Sequence, residues 1–183
     1  MQYIIIIIFL ISSNIAFAKN NVINITFTKE NAKHWQYISD RTMGGISDGQ
    51  AVLDKEGDIY FARLTGNVST KNNGGFIQLR STLTFINFDK KMINLKGVRL
   101  KVRGNGEVYH IFIRTSETRS YRDYFAATFI ARDKWTIVDL PFSNFKNKFS
   151  NKDLDGNDIR TFGIVAYGRE FKADVSVSEI NLY

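Results

Sequence analysis

The chain has 183 residues, with 25 Lys and Arg against 18 Asp and Glu, a formal charge of +7, no cysteine and a single proline. Without cysteine there is no disulfide framework, no thiolate nucleophile, no Cys-based zinc or iron–sulfur site and no lipid anchored to a thiol. Two histidines, His34 and His110, are too few for a multi-histidine metal centre, and the cationic excess points to anionic partners.

The first 18 residues read as a signal peptide. An apolar run, Ile4 to Ile11, is followed by Ser12-Ser13-Asn14 and then by Ala16-Phe17-Ala18, a small-x-small cleavage site before Lys19. The run is shorter than the ~20 apolar residues that span a bilayer. Its leading residues, Met1-Gln2-Tyr3, carry no Lys or Arg, a departure from the usual basic start. The expectation is export to the periplasm or beyond, with no transmembrane segment left after cleavage. Residues 19–183 then form one domain and hold every charged side chain. For an exported chain, acidic glycans, lipid headgroups or an acidic protein face come before nucleic acid, which ranks last.

Beyond the signal, Val22–Phe27 reads as a first strand. Residues Trp35–Gly49, WQYISDRTMGGISDG, read as a tight shaped loop, because the Gly44-Gly45 pair relieves the bar on positive φ. Gln50–Leu53 and Asp58–Leu64 are short strands, and Lys71-Asn72-Asn73-Gly74-Gly75 is a second loop with strong turn chemistry. Phe76–Phe85 alternates. From Gly97, Val98, Leu100 and Val102 point one way and Arg99, Lys101 and Arg103 the other, the period-2 mark of a half-buried strand.

Gly104-Asn105-Gly106 reads as a hairpin turn returning into Val108–Thr115, with Tyr109, Ile111 and Ile113 on one face. Tyr124–Ala131, Trp135–Leu140, Arg160–Gly168 and Asp174–Leu182 complete the strands, and Phe142 and Phe145 sit on one helical turn. No stretch sustains a 3.6-residue period. Many short strands separated by glycine-rich turns predict an all-β antiparallel sandwich or barrel.

The matching pieces of this chain, in order, are Trp35 with Ser39-Asp40-Arg41-Thr42-Met43-Gly44-Gly45-Ile46-Ser47, then Gly66-Asn67-Val68-Ser69 and Asn72-Asn73-Gly74-Gly75-Phe76. Leu100-Lys101-Val102-Arg103-Gly104-Asn105-Gly106 with Tyr109, Trp135 with Pro141-Phe142 and Phe145, and Phe162-Gly163-Ile164 follow. In these the chain resembles the complex I intermediate-associated protein 30 family over about residues 30–183. The resemblance implies a galactose-binding-domain-like jelly-roll β-sandwich and a non-catalytic role. Mitochondrial members of that family are linked to assembly of the respiratory NADH:ubiquinone oxidoreductase, and the fold recurs in carbohydrate-binding modules. For an exported chain, an assembly role implies an envelope or membrane protein complex as the partner.

Two surfaces stand out as candidates. Trp35, Asp40, Arg41 and Met43, together with Asn72 and Asn73, form a contact rim on loops shaped by Gly44, Gly45, Gly74 and Gly75. Asp40 either meets a ligand or caps its own loop through backbone N–H groups, the usual job of Asp in such a turn. The second is the row Arg99, Lys101 and Arg103, expected beside Tyr109 and Tyr124, where cations next to aromatic rings suit an acidic glycan. The acidic run Asp153, Asp155, Asn157 and Asp158 departs from calcium-loop spacing and reads as a turn. No spaced catalytic set, metal or cofactor is expected.

Overall fold

The computed structural model describes residues 22–86 and 95–183. The signal-peptide segment lies outside the described residues. Twelve strands follow one another: β1 (Ile23–Thr26), β2 (Trp35–Ser39), β3 (Asp48–Glu56), β4 (Ile59–Val68), β5 (Phe76–Ser81), β6 (Gly97–Gly104), β7 (Val108–Thr115), β8 (Phe125–Ile130), β9 (Thr136–Pro141), β10 (Lys146–Asn147), β11 (Ile159–Tyr167) and β12 (Phe171–Leu182). They form two antiparallel six-stranded sheets. Sheet A runs β3-β4-β12-β6-β9, with β1 also paired to β12; sheet B runs β10-β8-β7-β11-β5-β2. The protein is an all-β jelly-roll sandwich.

Alternation in the sequence decides which side chains face the other sheet. Val98, Leu100 and Val102 of β6 are fully buried, as are Tyr109, Ile111 and Ile113 of β7 and Phe162, Ile164 and Ala166 of β11. Each of the larger aliphatic and Phe side chains among them contributes about 1.5–3 kcal/mol by leaving water. In β12 the inward phase passes from Val175 and Val177 to Ile180 and Leu182. The register against β6 shifts between Val177 and Glu179, so one inserted residue changes the parity. Strand β3, at the edge of sheet A, is largely exposed on both faces.

Three local expectations are corrected. Trp35–Ser39 is a strand paired with β5, because Trp35 and Tyr37 supply an inward apolar phase that outweighs the loop chemistry downstream; only Asp40–Ser47 is a connection, opening with a 3-10 turn. The alternation after Phe76 ends as a strand at Ser81. Gly104–Gly106 does not close a hairpin: β6 pairs with β12 and β9, whereas β7 pairs with β11 and β8. The segment is a corner that carries the chain from sheet A to sheet B. Its N–H groups go to other segments, Asn105 to the Asp174 carbonyl of β12 at 3.2 Å and Gly106 to that of Ala131 just after β8 at 2.7 Å.

Candidate functional site

The two glycine loops meet at Asp40. This residue is fully buried, and its carboxylate accepts hydrogen bonds from the backbone N–H of Ser47 at 2.9 Å, Gly75 at 2.6 Å and Phe76 at 3.1 Å. The Ser47 hydroxyl donates a fourth, at 2.5 Å. Burial acts to raise the Asp40 pKa, but these donors outweigh it and hold the carboxyl below its usual value. Asp40 is thus a staple between loops, with no free edge for a ligand. Gly44 adopts a left-handed φ of 89°, whereas Gly45 and Gly74 are needed for room: a Cβ on Gly45 would lie 2.4 Å from the Asp40 carboxyl carbon, and one on Gly74 2.6 Å from Oδ2.

Around this staple Asn72 and Asn73 take left-handed turns, with φ of 55° and 58°. Arg41 is exposed and donates from Nε to the Ser47 carbonyl at 3.1 Å. Met43 and Ile46 are 46% and 44% exposed, so the rim carries two apolar side chains. Trp35 stands apart from it, buried between Phe27 and Phe162.

The basic row is not the open cationic surface its spacing suggested. On the outer face of sheet A, Arg99 pairs with Asp139 at 2.6 Å, Lys101 with Glu179 at 3.3 Å and Arg103 with Glu56 at 2.6 Å. Arg103 also lies over Phe61 and Trp135. The acids come from β9, β12 and β3, neighbours that strand order alone does not reveal. Tyr109 is inside the sandwich, its hydroxyl donating to Asn105 Oδ1 at 2.7 Å and accepting from the Asp174 N–H at 2.8 Å. Burial pushes its phenol up to about 12. The expected grouping of Arg103, Tyr109 and Tyr124 is therefore broken: they lie on one outer face, in the core and on the opposite outer face.

Tyr124 does join a cluster. Since Tyr109, Ile111 and Ile113 point inward, His110, Phe112 and Arg114 project from the outer face of sheet B. The pairing places Ala126, Phe112, Gly163, Arg80 and Gln36 in one row across that sheet, and Thr128, His110, Val165, Gln78 and Ile38 in the next. Gly163 carries no side chain between Phe112 and Arg80, and the Gln78 amide lies beside it, 3.2 Å from where a Cβ would stand. Phe112 stacks on Tyr124 with centroids 3.9 Å apart, and Tyr167 meets the edges of Phe112 and His110. Arg114 lies 5.4 Å from the Tyr124 ring centre.

The electrostatics of this face are unbalanced. Arg114 is half-buried, and burial together with the Arg80 charge lowers its pKa from the ordinary arginine value. Among the described residues neither Arg80 nor Arg114 forms an ion pair. Arg114 Nη1, Gln78 Oε1 and Thr161 Oγ1 are buried there without a hydrogen-bond partner. Such groups need a partner. Burial and Arg169 depress the His110 pKa, and burial together with Tyr167 raises that of Tyr124, so both rings are neutral near pH 7.

Of these residues only Tyr124 was a candidate from sequence. The signal for the others was an aromatic, Phe112, on the polar phase of β7. Elsewhere, Asp155 Oδ1 accepts from Asn157 N–H and Asp158 Oδ2 from Ser116 N–H, so the acidic run ties its own turn to a neighbouring loop. Among the described residues no cluster of His, Asp and Glu is arranged to hold a metal ion, and no helix is long and apolar enough to cross a membrane.

Residues 25–177 match the sequence pattern of Complex I intermediate-associated protein 30 (CIA30). The chain belongs to that family. It matches no curated protein by sequence. The fold of this family member is similar to the family 11 carbohydrate-binding module of the Clostridium thermocellum cellulosomal cellulase Lic26A-Cel5E, with 12% identity, 81% of this chain and 86% of that one covered, and a TM-score of 0.63. A family 11 module from the same organism in complex with a β-1,3-1,4-mixed-linked tetrasaccharide gives 13% identity, coverage of 87% and 94%, and a TM-score of 0.64. The family 30 module of C. thermocellum Cel9D-Cel44B gives 15%, 75% and 91%, and 0.50. At these identities the likeness is one of fold. The CIA30 domain is thus built on the same jelly-roll sandwich as these modules.

Proposed function

We propose that this CIA30-family chain is an exported, non-catalytic binding module that takes an acidic glycan across the outer face of sheet B. One observation carries the reading: Arg80 and Arg114 lie among stacked rings on one face, without a carboxylate partner among the described residues. A uronate or sulfate group would supply the missing anion, accepting from Arg114 Nη1, while a sugar hydroxyl donates to Gln78 Oε1 and a sugar ring lies against Tyr167 and His110. The fold shared with modules whose names record carbohydrate binding supports it. No catalytic role is assigned.

The test is affinity electrophoresis in gels cast with polygalacturonate, alginate or neutral mixed-linkage glucan. Retardation by an acidic polymer, weakened by added salt and abolished in the Arg80→Ser, Arg114→Ser double variant, is the expected result. Equal migration in every gel overturns the reading.

A second reading follows from the exposure of Met43 and Ile46 beside the Asp40 staple. Here the rim docks on a protein of an envelope complex, in keeping with the family's name. Cross-linking from position 43 in a membrane extract would capture that partner, and no specific adduct would count against it.

A further inference from the structure

A separate cleft opens at the edge of the sandwich, where β2 passes the β3–β4 hairpin. It has a volume of about 480 Å3, and its lining combines polar side chains with the apolar surface of Tyr37 and the glycines. The floor is bare backbone. Gly49 and Gly66 face each other across β3 and β4, and a Cβ on either would lie 2.2 Å from a carbonyl oxygen of the opposite strand, so neither position accepts a side chain. Tyr37 and Ser39 line the cleft from β2, Asp48 and Gln50 from β3, and Thr65 from β4.

Arg41 closes the set. Its Nε is held by the Ser47 carbonyl, which fixes the guanidinium plane while the Nη groups have no ion-pair partner among the described residues. Asp48 makes only a long contact, 3.4 Å from Asn67 Nδ2. The Tyr37 hydroxyl is buried, with the Ser39 hydroxyl near it but no partner at good hydrogen-bond geometry. A buried hydroxyl in a polar cavity calls for one.

One cation and one anion leave the lining without net charge, which disfavours both a free anion and a free cation. Arg41, Asp48 and Gln50 are planar groups that each offer two atoms side by side, the geometry that pairs with two adjacent hydroxyls. We propose that this cleft holds a neutral sugar residue through its vicinal hydroxyls, with Asp48 accepting, Arg41 donating, and Tyr37 completing the set. The site is independent of the acidic-glycan face, since Tyr37 and Ser39 lie on the inward phase of β2 and the arginine cluster on the outer face of sheet B.

The glycines provide the readout. In 15N–1H correlation spectra, the Gly49 and Gly66 amides report the cleft, and the Gly163 amide reports the outer face of sheet B. Titration with D-glucose, D-galactose and D-mannose at millimolar concentrations should shift Gly49 and Gly66 saturably with at least one hexose and leave Gly163 still. Asp48→Ala and Gln50→Ala, both at exposed positions, should keep the dispersed spectrum and weaken that response, about tenfold for Asp48, which loses a charge-assisted bond, and about fivefold for Gln50, which loses a neutral one. No saturable shift with any hexose, a response to D-glucuronate alone, or shifts unchanged in both variants would overturn the proposal. Binding of acidic polymer at Gly163 is scored separately in the same spectra, so either site fails without the other.

Discussion

A methyl group on Gly45 would stand 2.4 Å from the Asp40 carboxyl carbon, closer than any two such atoms can pack. The glycine is there for the carboxylate's sake, since its own backbone is not left-handed. Gly44, one residue earlier, has a φ of 89° and open space around it. The two neighbours therefore serve different ends. Gly44→Ala should cost about 1–2 kcal/mol, the penalty of placing a Cβ in left-handed backbone. Gly45→Ala should cost more, because a buried charge must shift and loosen its four donors. Urea midpoints of the two variants, compared with wild type, check the order.

Asp40 also ties stability to pH. Its folded pKa lies below the unfolded value of about 3.9. The stability it contributes is complete above that unfolded value and is lost as pH falls from there through the folded pKa. Asp40→Asn should therefore lower stability at pH 7 and flatten its decline below about pH 4. Chemical denaturation at a series of pH values measures both. An unchanged acid limb would mean that other carboxylates dominate it.

Tyr109→Phe removes a hydroxyl that serves Asn105 and the Asp174 N–H at once. The expected loss is about 1–3 kcal/mol, since both partners lie beside buried structure at the β6–β7 corner. Glycan retardation should be unaffected, because the ring points into the core. Thermal melting and affinity electrophoresis on the same variant separate the two effects.

Replacing the row on sheet A gives a graded result. Arg99→Ser and Lys101→Ser break partly exposed ion pairs and should each change stability by less than about 1 kcal/mol. Arg103→Ser should cost more, because it also uncovers Phe61 and Trp135. None should alter retardation by an acidic polymer. If the Arg99→Ser, Lys101→Ser pair abolishes it, the anion site is on sheet A.

The fold was legible because inward positions repeat every second residue, and Val98-Leu100-Val102 or Tyr109-Ile111-Ile113 can hardly be read otherwise. Strand partners were not. Gly104-Asn105-Gly106 has the chemistry of a tight turn, but turn chemistry does not say whether the chain re-enters the same sheet or crosses to the other. That one ambiguity put Tyr109 beside Arg103, and left unseen the Asp139, Glu179 and Glu56 that neutralise the basic row. Reading β7 by its apolar phase alone also passed over His110, Phe112 and Arg114. Gln78, Arg80 and Gly163 join them only through pairings between strands distant in sequence. The sequence reading allowed Asp40 its place as a cap, since capping backbone N–H groups is the usual job of Asp in a glycine turn.

The position of β12 shapes how the molecule comes into being. It is the last of the twelve strands to leave the ribosome, yet it lies between β4 and β6 and also carries β1. Until it arrives, sheet A is the β3–β4 pair, the β6–β9 pair and an unpaired β1, with open edges and uncovered Val and Leu side chains. The nascent chain must be kept from pairing with its neighbours until the twelfth strand has been made. A chain released early would be an aggregation seed rather than a smaller working domain.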